Sequence, residues 1–179
     1  MSFILFDKLY KSGNNTLKYK VSIRPNVNKN LKIFTKTVNT ILNDSRGWGI
    51  KCILDDTNYD FEITLVSGED IKNDCGFGNL SCVNDIGGDK IFINNNRWSK
   101  GAKASRLNLK NYRKYLILHE QSHLLNQTHV KPVKGKRTPI LVQQTLSIGE
   151  GLPNCWPLIS EKKKMRKDYN NYIKSKNLI

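Results

Sequence analysis

The segment that most restricts how this chain folds is His119-Glu120-Gln121-Ser122-His123-Leu124-Leu125-Asn126-Gln127-Thr128-His129. Histidines four apart lie on one face of a helix, a turn from each other, so both imidazoles reach a common point. The third histidine is six residues further on, and continued helix would carry it away. The chain must therefore leave the helix before His129. Asn126 suits that exit, because asparagine is the non-glycine residue that best tolerates positive φ. The plain structural alternative is a helix carrying two internally satisfied histidines. The sequence has 3 histidines, however, and all three sit at these positions. That concentration favours a metal site.

Three imidazoles leave a fourth position open on a tetrahedral ion. The donor set favours a single Zn2+, although iron, cobalt and nickel accept the same ligands. Glu120, beside the first ligand, is placed to act as a general base on a metal-activated water. His119, His123 and His129 are thus the expected ligands and Glu120 the expected catalytic residue.

Around this segment the sequence reads as one domain. Its 179 residues, 38% hydrophobic and 25% charged, are enough chain to enclose a core. No apolar run approaches the roughly 18–20 residues of a membrane span. Residues 18–24 alternate as a strand that stops at Pro25. Leu31–Leu42 places Leu31, Phe34, Val38, Ile41 and Leu42 at helical spacing and ends in the turn 43–47. Strands are expected at Lys51–Leu54, 60–67 and 89–94, with a loop over 94–105. A helix capped by Asn108 or Asn111 then runs to about Asn126, apolar on most faces and therefore buried. Residues 131–137 form a basic loop, and 160–176 an exposed basic helix.

Lysine and arginine number 30 against 15 acids, a net charge of +15. That balance suits a polyanion, nucleic acid included, or serves only solubility in a lysine-rich composition. The tail concentrates it: Lys162, Lys163, Lys164, Arg166, Lys167, Lys174 and Lys176 stand against Glu161 and Asp168. This is either a solvated helix face or a nucleic-acid contact. The opening residues lack a basic leader and a cleavage site, so an intracellular or virus-packaged protein is expected. None of the 4 cysteines forms a Cys-x-x-Cys pair, which argues against a cysteine-based zinc site. Cys75 and Cys82 flank a glycine-bearing loop and are either a disulfide or two buried thiols.

With these residues in view, the chain resembles the metzincin-type zincins, whose motif is His-Glu-x-x-His-x-x-Gly-x-x-His. It resembles more closely a largely actinobacterial family of uncharacterised zinc metallopeptidases with a zincin-like domain. The likeness spans about residues 40–158. It includes Asn43-Asp44-Ser45-Arg46-Gly47-Trp48, Leu80-Ser81-Cys82, Asn94 to Trp98, Tyr112-Arg113-Lys114-Tyr115-Leu116, Gln143-Gln144-Thr145 and Pro153-Asn154-Cys155-Trp156-Pro157. There are departures. Asn126 replaces the family glycine. The segment Pro139-Ile140-Leu141-Val142-Gln143 has no methionine where a methionine turn belongs, and Leu141 is expected to supply the apolar floor. Val133 and Gly151 lie near the places of two later cysteines. The tyrosine that stabilises an oxyanion in astacin-like enzymes is missing. Gln143 or Gln144 either donates a hydrogen bond there or is structural.

The resemblance implies an α+β, zincin-like (metzincin-like) single domain over 1–158, followed by a basic helical tail over 159–179. A twisted mixed sheet, mainly antiparallel at its edges, would pack on an N-terminal helix (31–42) and an active-site helix (110–126). The strand Ile91 to Asn94 would be the edge beside the cleft, where an extended substrate peptide adds. The expected activity is zinc-dependent peptide hydrolysis. The competing expectation is an inactive, zinc-stabilised basic protein, such as a viral component that contacts nucleic acid or other proteins.

Overall fold

The computed structural model describes residues 2–76 and 78–177. Met1, Phe77 of the loop between Cys75 and Cys82, and Leu178 and Ile179 of the basic tail lie outside the described residues. The chain runs α1 (Ile4–Ser12), β1 (Thr16–Ile23), α2 (Leu31–Leu42), β2 (Lys51–Leu54), β3 (Phe61–Val66), α3 (Gly68–Cys75), β4 (Cys82–Val83), β5 (Lys90–Asn94), α4 (Asn95–Lys100), a 3-10 turn at Lys103–Ser105, α5 (Leu109–Leu124) and α6 (Ile159–Asn177). It is one mixed α/β domain around a five-stranded mixed sheet of order β2-β1-β3-β5-β4.

β1 pairs in parallel with β2 and β3, and β3 in parallel with β5. Only β4 runs antiparallel, joined to β5 through Cys82–Phe92 and Val83–Ile91. Two expectations are corrected here. The sheet is mainly parallel, with a single antiparallel edge. The strand beside the cleft is β4 and not Ile91 to Asn94, because Cys82 and Val83 cover that flank of β5.

Alternation along β1 buries Leu17, Tyr19 and Val21 on one face, where Phe61, Ile63, Leu65, Ile91 and Ile93 join them in the main core. Helices close that face. α2 is capped by Asn30, whose side chain accepts from the Ile33 N–H, and turns Phe34, Val38, Ile41 and Leu42 inward. α5 is capped by Asn108, which accepts from the Asn111 N–H. The other face is partly wet and polar, with Ser22 bonded to Glu62 and Thr64. Near its β4 edge it carries a small satellite cluster of Val66, Ile71 and Cys82 under α3.

Three further departures from expectation have local causes. Residues 94–105 are not simply loop: the Asn94 side chain accepts from the Asn96 N–H and starts α4. α3 was hidden by a polar sequence that buries only Ile71. The basic tail is a helix but not a free one. Glu161 and Met165 are buried, and Tyr169 and Tyr172 pack on Phe6 and Phe3 of the N-terminal segment. Among the described residues, no helix is long and apolar enough to cross a membrane.

Candidate metal centre

α5 carries His119, Glu120 and His123 at its C-terminal end, all buried. Leu125 caps the helix, and Asn126 follows at φ 59°. The Gln127 N–H reaches back to Ser122 O (2.9 Å) and the Asn126 N–H to His123 O (3.1 Å). These two bonds are the Schellman pattern, which satisfies carbonyls that a helix end leaves bare. A loop closes the turn from outside. The Gly87 N–H donates to His123 O at 2.8 Å, with Gly87 at φ 76°. A Cβ on Gly87 would stand 1.9 Å from Ser2 O and 2.6 Å from Asn126 Oδ1, so only glycine fits. The exit at Asn126 brings His129, the most open of the three histidines, back to the other two.

The tautomers follow from the partners. His119 Nδ1 lies 2.7 Å from Ile140 O and His123 Nδ1 lies 2.8 Å from Gln127 O. A carbonyl only accepts, so both Nδ1 atoms carry the proton and both Nε2 atoms present bare lone pairs. The Nε2 atoms of His119, His123 and His129 are 3.1–3.3 Å apart. Bare lone pairs at that spacing repel unless a cation sits between them. Tetrahedral geometry with Zn–N bonds of about 2.0–2.1 Å requires nitrogens about 3.3–3.4 Å apart. The donor set therefore fits such an ion. Burial pulls His119 well below its usual range, with the neighbouring His123 adding to the effect. It takes His123 down to about 4 and lowers His129 as well. The rings stand neutral at pH 7, as metal ligands must be.

The histidines open into a cleft of about 430 Å³. Glu120 lines it, and burial pushes that carboxyl up to about 8. One wall is the β4 edge, from Leu80 to Val83, continuing to Asp85 and Ile86. This rim is pinned from behind. The Asn94 side chain donates to Gly78 O, the Asn94 N–H to Ser81 Oγ, and Arg97 Nε to Asn79 O. Cys75 and Cys82 are joined as a disulfide. Cys52 and Cys155 are free and buried.

Tyr115, Thr128, Gln143 and Thr145 also line the cleft. Gln143 faces the cleft, whereas Gln144 is fully buried and its amide donates to Asn154 O and Pro139 O. The Tyr115 hydroxyl is occupied, donating to Val142 O and accepting from the Gln144 N–H. Leu141 is buried in the core, but the atom of this segment that meets His119 is the Ile140 carbonyl. The sequence points to the three histidines that the fold brings together and to Glu120 beside them, but not to the β4 rim or the cleft faces of Tyr115, Thr128 and Thr145. Tyr115 had a signal, since it shares a helix face with His119 four residues on. The rim had none that is local, because it is assembled by pairing across the sheet.

A family model described as a protein of unknown function, DUF3152, matches residues 7–168. No curated protein and no solved structure matches the chain.

Proposed function

We propose that this chain, which belongs to the DUF3152 family, is a zinc-dependent peptidase of zincin-like, metzincin-like build that hydrolyses peptide bonds. One observation carries the reading: three Nε2 lone pairs meet at tetrahedral spacing beside a buried carboxylate in one cleft. When bound, zinc would supply a Lewis acid for a carbonyl oxygen and make a water acidic enough to lose a proton near pH 7.

The chain's own residues do the rest. His119, His123 and His129 bind, and the carbonyls of Ile140 and Gln127 keep the first two rings turned correctly. Glu120 takes the proton of the attacking water and passes it to the leaving amine. Burial alone favours its protonated form, and a dication at the histidines favours the ionised form that a base needs. Among the described residues no strand pairs with the outer side of β4, so an extended substrate chain can add there by main-chain hydrogen bonds. Gln143 is the glutamine left to face a developing oxyanion.

The test is Glu120→Gln. That variant should still bind one zinc per chain and lose cleavage of a denatured protein mixture by at least about 100-fold. Undiminished cleavage would remove Glu120 from the chemistry, and zinc-loaded wild type that cleaves nothing would overturn the peptidase reading.

One observation favours a second reading, an inactive zinc-stabilised protein that contacts nucleic acid. Lys163, Arg166, Lys167 and Lys174 are exposed on α6, and among the described residues none of them has an ion-pair partner. In that case duplex DNA binding weakens steeply with salt and is indifferent to Glu120→Gln.

A further inference from the structure

We infer that Glu161, on the C-terminal helix, is a positioning residue for the metal centre, acting on His119 through the peptide group between Ile140 and Leu141. The inference rests on reading the three histidines as a metal site.

Among the described residues, Glu161 is the one buried acid of a helix that otherwise turns its charges toward solvent, and no cation pairs with it. Its carboxylate instead gathers three main-chain donors. The Ile140 N–H (3.0 Å) and Leu158 N–H (2.8 Å) bond to Oε2, and the Leu141 N–H (3.0 Å) bonds to Oε1. The Leu158 bond is an ordinary helix-start contact, a third-position carboxylate reaching back to the residue before the helix. The other two are not local: they join α6 to a segment twenty residues away. The Leu141 N–H that donates to Glu161 Oε1 belongs to the same peptide group as the Ile140 carbonyl, which accepts from His119 Nδ1.

The line is therefore carboxylate, peptide, imidazole, with the Nε2 lone pair aimed at the shared point. Metal-bound histidines commonly hand their second N–H to a carboxylate or a carbonyl, which fixes the tautomer and raises ligand basicity. Here the carbonyl is itself polarised, because a carboxylate holds the N–H of the same peptide group. Successive hydrogen bonds of this kind strengthen one another. This gives an account of a buried, unpaired carboxylate that helix starting alone does not require.

The test compares cobalt(II) binding by the full chain as wild type, Glu161→Gln and Met165→Ala. Glu161→Gln keeps the length but turns one oxygen into an NH2 group that cannot accept, so one peptide N–H meets a donor. Met165 is buried on the same helix but bonds to nothing in the line. Glu161→Gln should bind cobalt roughly tenfold more weakly per folded molecule, with a changed visible ligand-field band. Met165→Ala should lower the melting temperature and leave affinity and band alone. Unchanged binding by Glu161→Gln, or an equal loss in Met165→Ala, overturns the inference.

A second measurement uses metal-free protein. In wild type, the NMR signals of His119 should place its proton on Nδ1, protected from exchange, and in Glu161→Gln that signal should shift. A proton on Nε2, or a signal indifferent to Glu161→Gln, overturns the inference even if the variant folds poorly. Wild type that fails to bind cobalt while keeping the Nδ1 proton would defeat the metal reading and leave the hydrogen-bonded line standing.

Discussion

Asn126 carries two costs that a glycine would not. It holds φ 59°, and its amide nitrogen and oxygen are buried with no hydrogen-bond partner. The position is thus occupied for its backbone conformation and not for its side chain. Asn126→Gly should stay within about 1 kcal/mol of wild-type stability, the relief of strain and of an unsatisfied amide offsetting the entropy glycine loses on folding. Asn126→Val should lose about 2 kcal/mol or more and weaken metal binding, because a β-branched residue resists the left-handed turn that returns His129. Thermal melts with a zinc titration check both; a valine variant as stable as the glycine variant would contradict the account. This turn was legible in the sequence because its constraint is local: two ligands on a helix, a third beyond it, and one residue able to turn between. Gly87, which seals the same turn from outside, was not legible, because its partners Ser2 and Asn126 are remote in the chain.

Among the elements, α2, β2 and α5 were readable because apolar spacing and a capping asparagine agree at each helix, and β2 is a short run between turns. Strand direction was not. Alternation along β1 records one dry and one wetter face, and it is silent on whether the neighbours run parallel. α3 had a weak signal in Ser67 and Asp70, which form a reciprocal capping box. Burial opposes the charge of Asp70, but hydrogen bonds from Asn26 and Ser67 and the Arg24 guanidinium outweigh it and hold the carboxyl down to about 2. A depressed carboxyl stabilises the fold fully above its unfolded value near 3.8, and the contribution is lost as pH falls through about 2. Asp70→Asn should therefore cost about 1 kcal/mol at pH 6. The gap between variant and wild type should close as the pH approaches 2. Urea midpoints at pH 6 and pH 2.5 decide this, and an equal gap at both would refute it.

Across the whole molecule, the two ends of the described chain meet. Phe3 stacks on Tyr172 at 5.2 Å between ring centroids, and the Tyr172 hydroxyl donates to Asp7. α6 also donates to the turn beyond α5, through Lys164 to Gln127. A tail that composition presents as a charged appendage is thus seated beside the histidine site, and a charge count does not tell that Glu161, Met165 and Tyr169 turn inward. Three imidazoles converging on one point underlie every functional statement made for this chain, so their occupant is the decisive observable. Crystals of the purified protein, measured on both sides of the zinc absorption edge, provide it. The account predicts one anomalous peak per chain, about 2.0–2.1 Å from the Nε2 atoms of His119, His123 and His129. A site without a peak in zinc-replete protein, or a peak bound by other residues, would contradict it.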